Sequence, residues 1–258
     1  MTNLLDRPDD PPAMKWQTRT IGDLSELAQA RAEAINLAQW LARIANSYVA
    51  ASNPEERIRL EFRPHDATIA TGEFDKAIAL EMRLPMLELQ FLENGKPMPH
   101  VFDPEEHSPA EVEAWLLVEL LHRGIDREKF SKELPYAIAG LMSGDAEDYS
   151  PQLCRPGLIC LTALMRDAAA VLKTAAPSKG GDQASIACLP QNLNLVVPSD
   201  SGSFAFSPGD AERPEPYFYQ RSGSIISGGG NLTIRAAALM AECDPMAAAM
   251  KLRDLALG

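Results

Sequence analysis

The sequence predicts an α+β fold in which helices pack against antiparallel β-sheet. Long stretches with the period of an amphipathic helix are separated by groups of short segments that alternate between apolar and polar residues. Strands that follow one another without an intervening helix favour antiparallel pairing over βαβ units. The order helix, strands, helix occurs in both halves of the chain. We therefore expect antiparallel sheet with packed helices, and a helix–strands–helix pattern that is present twice.

The first helix is predicted to begin at Asp23. Apolar residues recur at helical spacing in two adjoining stripes, which predicts that the second half of this helix is buried. Asp23 and Glu26 have the spacing of a capping box. Asn53-Pro54 closes the segment, because the residue before a proline disfavours helical geometry.

From Arg57 to Arg63 every second residue is apolar, which predicts a strand with one exposed face. Arg57, Arg59 and Arg63 lie on that face. They either receive an acidic ligand or pair with glutamates of a neighbouring strand. Further strands are predicted at residues 67–71, 77–82 and 86–92.

Asn94-Gly95 predicts a tight hairpin, because both residues tolerate the left-handed geometry that such turns require. The return strand, residues 97–102, contains two prolines. A proline cannot donate a backbone hydrogen bond, so we expect this strand at an edge of the sheet.

Ser108, Pro109 and Glu111 predict the capped start of the next helix, and Gly124 predicts its end. The second half then repeats the order of elements. Its predicted helices are residues 157–174, Asn231 to Cys243, and a last one capped by Asp244; its predicted strands are residues 184–189, 193–197, 203–206 and 217–220.

The resulting division of the chain has four parts: a mobile arm at residues 1–15, one half at 16–142, an acidic linker at 143–157 and a second half at 158–258. The two halves share an order of elements and no repeat at the level of residues. Whether they form one domain or two stays open at this point.

The composition limits the classes of function. The 258 residues include 24 Lys and Arg against 36 Asp and Glu, a formal net charge of −12. Such an acidic surface repels phosphate, which argues against a general nucleic-acid binder. Neither a secretory signal nor an apolar stretch of about 18 residues is present, so we expect a cytoplasmic protein without a membrane partner.

Four cysteines, Cys154, Cys160, Cys188 and Cys243, form no C-x-x-C pair. Cys160 and Cys188 have apolar neighbours, as buried free thiols do. We expect all four cysteines to be reduced and unpaired.

Several segments resemble, in order, parts of an uncharacterised family of bacterial proteins. They are the hairpin at residues 87–95, the helix start at 108–112, its end at 122–126, and the later segments 192–195 and 215–219. The family has no established function, so the resemblance implies a bacterial relative and no activity.

The densest polar cluster is the segment from His100 to His107, which also contains Asp103, Glu105 and Glu106. Histidines and carboxylates are ligands for zinc or manganese. The spacing fits no helical zinc motif, and acidic residues are favoured before a helix start. We expect no metal at these five residues.

The one ligand site that the sequence favours is the glycine-rich segment before the predicted helix at Asn231. It comprises Ser227, Gly228, Gly229, Gly230, Asn231 and, one turn later, Arg235. Free backbone N–H groups, a helix start and a guanidinium together predict an anion site for phosphate or carboxylate. A glycine hinge capped by Asn231 is the alternative.

No P-loop, nucleophile elbow or dinucleotide-binding glycine pattern is present. We therefore expect a non-enzymatic module that needs no cofactor and binds an unknown protein or a small acidic ligand. The alternative is a small-molecule hydrolase or transferase, with its site near the His100–His107 loop or the Gly228–Gly230 loop. A deep polar pocket would favour the enzyme, and an exposed apolar patch would favour the binding module.

Overall fold

A computed structural model of the chain describes residue 16 and residues 21–176, 185–199, 202–221, 232–242 and 244–257. Its helices are α1 (Leu24–Tyr48), α2 (Pro54–Arg57), α3 (Pro109–His122), α4 (Arg155–Ala175), α5 (Ala236–Met240) and α6 (Pro245–Leu257), with a 3₁₀ turn at Arg127–Lys129. The predicted mobile arm at residues 1–15 lies outside the described residues.

The strands are β1 (Leu60–Arg63), β2 (Thr68–Ala70), β3 (Ile78–Arg83), β4 (Glu88–Glu93), β5 (Lys96–Phe102), β6 (Ile186–Leu189), β7 (Asn194–Ser199), β8 (Gly202–Ser207), β9 (Tyr217–Arg221) and β10 (Leu232–Arg235). They form one antiparallel sheet in the order β10-β9-β8-β7-β6-β1-β2-β3-β4-β5. The predicted α+β class with antiparallel sheet and packed helices is confirmed.

The sheet is continuous through both halves of the chain. At its centre β1 pairs with β6, with Leu60 opposite Cys188 and Phe62 opposite Ile186. From this central pair, the five strands of each half follow outward in chain order. Each half thus contributes five strands. The two sets extend from the central β1–β6 pair towards opposite edges of the sheet.

The core lies between this sheet and the long helices. Apolar residues of the strands, such as Phe62, Phe91 and Phe206, are buried in one hydrophobic core together with Trp40 of α1. Helices α1 and α4 pack on each other and on this sheet face. Burial of apolar surface is the main stabilising term in such a core.

Local sequence signals explain where several elements begin and end. Ser108 and Glu111 form the predicted capping box of α3: the Ser108 N–H donates to the Glu111 carboxylate at 2.8 Å. Asn94 and Gly95 adopt positive φ angles of 51° and 72° in the predicted hairpin. The proline-containing strand β5 lies at the sheet edge, as predicted.

The predicted strand from Arg57 is wrong in its first part. Arg57 belongs to the short helix α2, because Asn53 accepts a hydrogen bond from the Glu56 N–H at 2.8 Å and Pro54 sits at the first helical position. Of the three arginines, Arg63 alone lies in β1. It forms ion pairs with glutamates, as one alternative predicted, but these are Glu61 of its own strand at 3.1 Å and Glu81 at 3.6 Å on β3, which β2 separates from β1.

The predicted helix from Asn231 to Cys243 is also wrong in its first part. Residues Leu232–Arg235 form β10, in which Ile234 pairs with Phe218 of β9, and α5 begins at Ala236. A segment of four residues shows too few alternations between apolar and polar side chains for the sequence to distinguish a strand from the first turn of a helix.

The segment predicted to be a linker, residues 143–157, is attached to the first half. Tyr149 is buried, and its hydroxyl accepts a hydrogen bond from the Trp40 indole N–H at 3.0 Å. Its backbone N–H and C=O bond to His107 and Glu106. Helix α4 begins at Arg155, inside the predicted linker.

Glu33 provides a pH-dependent test of this attachment. Its carboxylate accepts a hydrogen bond from the Ser150 N–H at 2.6 Å. Burial raises the pKa of the Glu33 carboxyl, the Ser150 hydrogen bond lowers it, and the nearby Glu105 raises it, with a net increase. The ionised carboxylate therefore costs stability at pH values above this raised pKa, and the cost fades as the pH falls through it.

We expect Glu33→Gln to raise the free energy of unfolding at about pH 8 and to have less effect at about pH 5. The glutamine oxygen keeps the hydrogen bond from Ser150 and carries no charge. Urea unfolding at both pH values measures the difference, with the exposed Glu147→Gln as control. A variant that is less stable than the native chain at the higher pH would contradict this interpretation.

None of the helices in the described residues is long and apolar enough to cross a membrane.

Candidate metal-binding site

Three potential metal ligands meet where the edge strand β5 lies beside the C-terminal end of α3. Phe102 of β5 packs against Trp115 of α3 with ring centroids 5.2 Å apart, which holds the helix over the strand. His100 precedes Phe102 by two residues in β5, and its Nδ1 lies 3.1 Å from Glu119 Oε1 of α3. Glu119 lies one turn beyond Trp115 on the helix, and His122 ends it.

The ligand atoms of His100, Glu119 and His122 all lie within 4.8 Å of one another. Glu119 Oε1 is 3.1 Å from His100 Nδ1 and 3.9 Å from His122 Nδ1. Two ligands bound to zinc at about 2.0–2.1 Å in tetrahedral geometry lie roughly 3.3–3.4 Å apart. Both observed distances are within a small side-chain rotation of that value.

Burial differs sharply among the three side chains. The Glu119 side chain is 4% exposed, whereas those of His100 and His122 are 67% and 60% exposed. The carboxylate is therefore buried beneath the cluster, and the two imidazoles lie on its solvent-exposed side.

Arg123 fixes the orientation of Glu119. Its guanidinium donates to Glu119 Oε2 at 2.6 Å and to the Glu119 backbone oxygen at 2.7 Å. The same guanidinium lies 4.4 Å from the centre of the Phe91 ring. Because Arg123 occupies Oε2, the other oxygen, Oε1, is the one that faces both imidazoles.

The structure separates most of the polar cluster that the sequence singled out. His107 packs its ring against Phe102 and bonds through Nδ1 to the Glu105 backbone oxygen at 2.8 Å. Asp103 accepts from the Glu105 N–H, and the Glu105 carboxylate accepts from the Gln152 N–H at 2.9 Å. His100 turns towards α3, away from these residues. We still predict that no metal binds at Asp103, Glu105, Glu106 and His107.

Sequence reasoning did not connect Glu119 and His122 with His100. The E-x-x-H spacing places the first two on one helix face, since residues three apart are neighbours there. A partner for them on β5 depends on how the helix packs over the strand, and the sequence contains no local signal for that.

The predicted anion site is outside the described residues from Ser227 to Asn231. Arg235 is described, and it forms an ion pair with Glu215 at 3.3 Å. Leu232–Arg235 form the strand β10, so the helix that was predicted to follow the glycines does not begin there. Anion binding by Ser227, Gly228, Gly229, Gly230, Asn231 and Arg235 stays a prediction without that support.

Cys154, Cys160 and Cys188 are free thiols, and Cys243 lies outside the described residues. Burial raises the pKa of Cys154 to about 11 and that of Cys188 well above its ordinary value. Since the thiolate is the reactive form, both thiols are expected to react slowly in the folded protein.

We expect iodoacetamide at about pH 7.5 to leave Cys154 and Cys188 unmodified in the native protein and to modify them in urea. Peptide mass mapping distinguishes the individual cysteines, and the partly exposed Cys160 serves as the reactive control. Rapid modification of Cys188 by iodoacetamide in the folded protein would contradict the buried position of this thiol.

No protein-family model, curated protein or solved structure matches this chain. The resemblance to an uncharacterised bacterial family therefore stays an expectation, and the argument for function depends on the geometry of the described residues.

Proposed function

We propose that this protein is a non-enzymatic binding module whose ligand is a divalent transition-metal ion, with Zn²⁺ as the best fit. The observation that carries the proposal is the convergence of His100, Glu119 and His122 within 4.8 Å. It replaces the expectation of no metal at His100, because two of the three ligands come from α3 and not from the loop.

The donor set selects the class of metal. Two imidazole nitrogens and one carboxylate oxygen suit zinc, copper, nickel or ferrous iron, whereas magnesium and calcium prefer oxygen ligands alone. Arg123 neutralises part of the Glu119 charge, which weakens the attraction for a cation. The formal net charge of −12 acts in the opposite direction, because it attracts cations over longer distances.

The alternative is a hydrolase or transferase near the His100–His107 loop or the Gly228–Gly230 loop. The second placement lies outside the described residues, and the first, the His100–His107 loop, has less support than the metal site. A cavity of about 20 Å³ lies beside this loop, lined by residues that include Asp103, Glu105 and Arg155. Such a volume accommodates about one water molecule, whereas small-molecule sites measure roughly 300–1,000 Å³. We also propose a cytoplasmic location, supported by the free thiols.

The test is isothermal titration calorimetry of the metal-free protein with ZnCl₂ at about pH 7.5, because metal ligands bind in their deprotonated form. We expect one ion per chain. His100→Ala and His122→Ala each remove a ligand, and we expect each to weaken binding by about tenfold or more. Both side chains are mostly exposed, so we expect the fold to survive, which far-UV circular dichroism checks.

The matched controls are His65→Ala and His107→Ala. His65 is an exposed histidine that contacts Asp66 at 2.7 Å in the turn between β1 and β2, and His107 lies close to the site without joining it. Both variants should bind zinc like the native chain. Zinc binding that is absent, or equally weakened by the control substitutions, would refute the proposal.

A further inference from the structure

Arg123 holds one of the two oxygens of the Glu119 carboxylate. Its Nη1 donates to Glu119 Oε2 at 2.6 Å and to the Glu119 backbone oxygen at 2.7 Å. Both side chains are largely buried, with 10% of Arg123 and 4% of Glu119 exposed. Oε2 is thereby engaged, and Oε1 is the oxygen that lies near the imidazole nitrogens of His100 and His122.

The contacts of Arg123 leave it little freedom to release this oxygen. Arg123 is the residue at which α3 ends, one turn beyond Glu119. Its guanidinium lies 4.4 Å from the centre of the Phe91 ring, which is buried and packs against Trp115 with ring centroids 5.6 Å apart. Moving the guanidinium away would also leave the buried carboxylate without its charged partner, which is costly.

Metal ions differ in how they use a carboxylate. Zn²⁺ sites in proteins are usually four-coordinate, and one carboxylate oxygen is enough for such a site. Mn²⁺ prefers octahedral sites rich in oxygen, and ions with many oxygen ligands often take both oxygens of one carboxylate. A carboxylate with one available oxygen therefore suits Zn²⁺ better than Mn²⁺.

From these contacts, and on the basis of the proposed function, we infer that Arg123 is a specificity-determining residue of the metal site. It restricts Glu119 to coordination through one oxygen and so favours Zn²⁺ over Mn²⁺. Arg123 acts through Glu119 and does not touch the ion. Its own charge repels both ions to a similar extent, because both are divalent, so the ratio of the two affinities reports the restriction of Glu119.

The test is the ratio of the Zn²⁺ and Mn²⁺ dissociation constants of the full chain. Calorimetry measures Zn²⁺ binding, and the electron paramagnetic resonance signal of the free ion measures Mn²⁺ binding. Arg123→Met removes every hydrogen-bond donor of this side chain and keeps an apolar stem against Phe91. We expect it to lower the preference for Zn²⁺ over Mn²⁺ by about tenfold. A general loosening of the fold would weaken the binding of both ions and leave their ratio unchanged.

Two further variants are the matched controls. Arg123→Lys keeps a positively charged donor beside Glu119, so we expect it to keep the native ratio. Arg63→Met removes an arginine that pairs with Glu61 on β1, with three strands between it and β5, and should also leave the ratio unchanged. Far-UV circular dichroism checks the fold of each variant.

Infrared difference spectra of the native chain with and without Zn²⁺ test the coordination directly, and Glu119→Gln assigns the carboxylate bands. The asymmetric and symmetric stretching bands lie farther apart for a carboxylate bound through one oxygen than for one bound through two. Bands typical of two bound oxygens, an unchanged ratio in Arg123→Met, or an equal change in Arg123→Lys would overturn the inference and leave zinc binding standing. A native chain that does not bind zinc would overturn the proposed function as well.

Discussion

Replacing Trp40 by alanine is expected to lower the free energy of unfolding by about 3–5 kcal/mol. Trp40 is among the largest fully buried side chains and is 2% exposed. Its indole N–H donates to the Tyr149 hydroxyl at 3.0 Å, and the Arg43 guanidinium lies 4.3 Å from its ring centre. The substitution therefore leaves a cavity and removes a partner from a buried hydroxyl.

Urea unfolding followed by far-UV circular dichroism measures this loss. Leu153→Ala is the control, because Leu153 is 85% exposed and its truncation should change the stability by less than about 0.5 kcal/mol. If Trp40→Ala is too unstable to purify, Trp40→Phe keeps most of the volume and loses the pyrrole ring with its hydrogen-bond donor. A loss below about 1 kcal/mol for Trp40→Ala would contradict the buried position of this residue.

Replacing Gly157 by alanine is expected to destabilise the protein by about 2–3 kcal/mol. Gly157 lies in the first turn of α4, where this helix crosses α1. A Cβ atom built at this position would lie 2.3 Å from the Glu26 backbone oxygen and 2.9 Å from the Ala30 Cβ, so the two helices would have to separate. Helix propensity alone predicts the opposite effect, a stabilisation of the protein by about 1 kcal/mol.

The sign of the effect therefore distinguishes the tight helix contact from local propensity. Gly22→Ala is the matched control, because a Cβ atom at Gly22 meets nothing within 4 Å. We expect Gly22→Ala to be close to neutral in the same urea experiment. A stabilising Gly157→Ala would show that α1 and α4 do not approach as closely as the structure describes.

Only one of the three residues of the candidate metal site could be recognised from the sequence. His100 was recognisable as a potential ligand, because it lies in a cluster of histidines and carboxylates. Its partners are 19 and 22 residues away on another element, and their proximity depends on the packing of Trp115 against Phe102. No local pattern encodes that packing, so the sequence alone did not connect His100 with Glu119 and His122.

Several elements were predictable from the sequence because their signals are local. The capping box at Ser108, the turn at Asn94-Gly95 and the edge position of the proline-containing strand depend on hydrogen bonds and backbone angles within a few residues. These predictions are confirmed because tertiary packing does not oppose them.

The pairing of the strands could not be predicted from local sequence, because it depends on long-range packing. The pairing of β1 with β6, which joins the two halves into one sheet, connects residues more than 120 positions apart. The same holds for the contact between α1 and α4 at Gly157 and for the position of β10. These features depend on the burial of apolar surface between distant segments, and burial is a property of the folded chain that no short stretch of sequence contains.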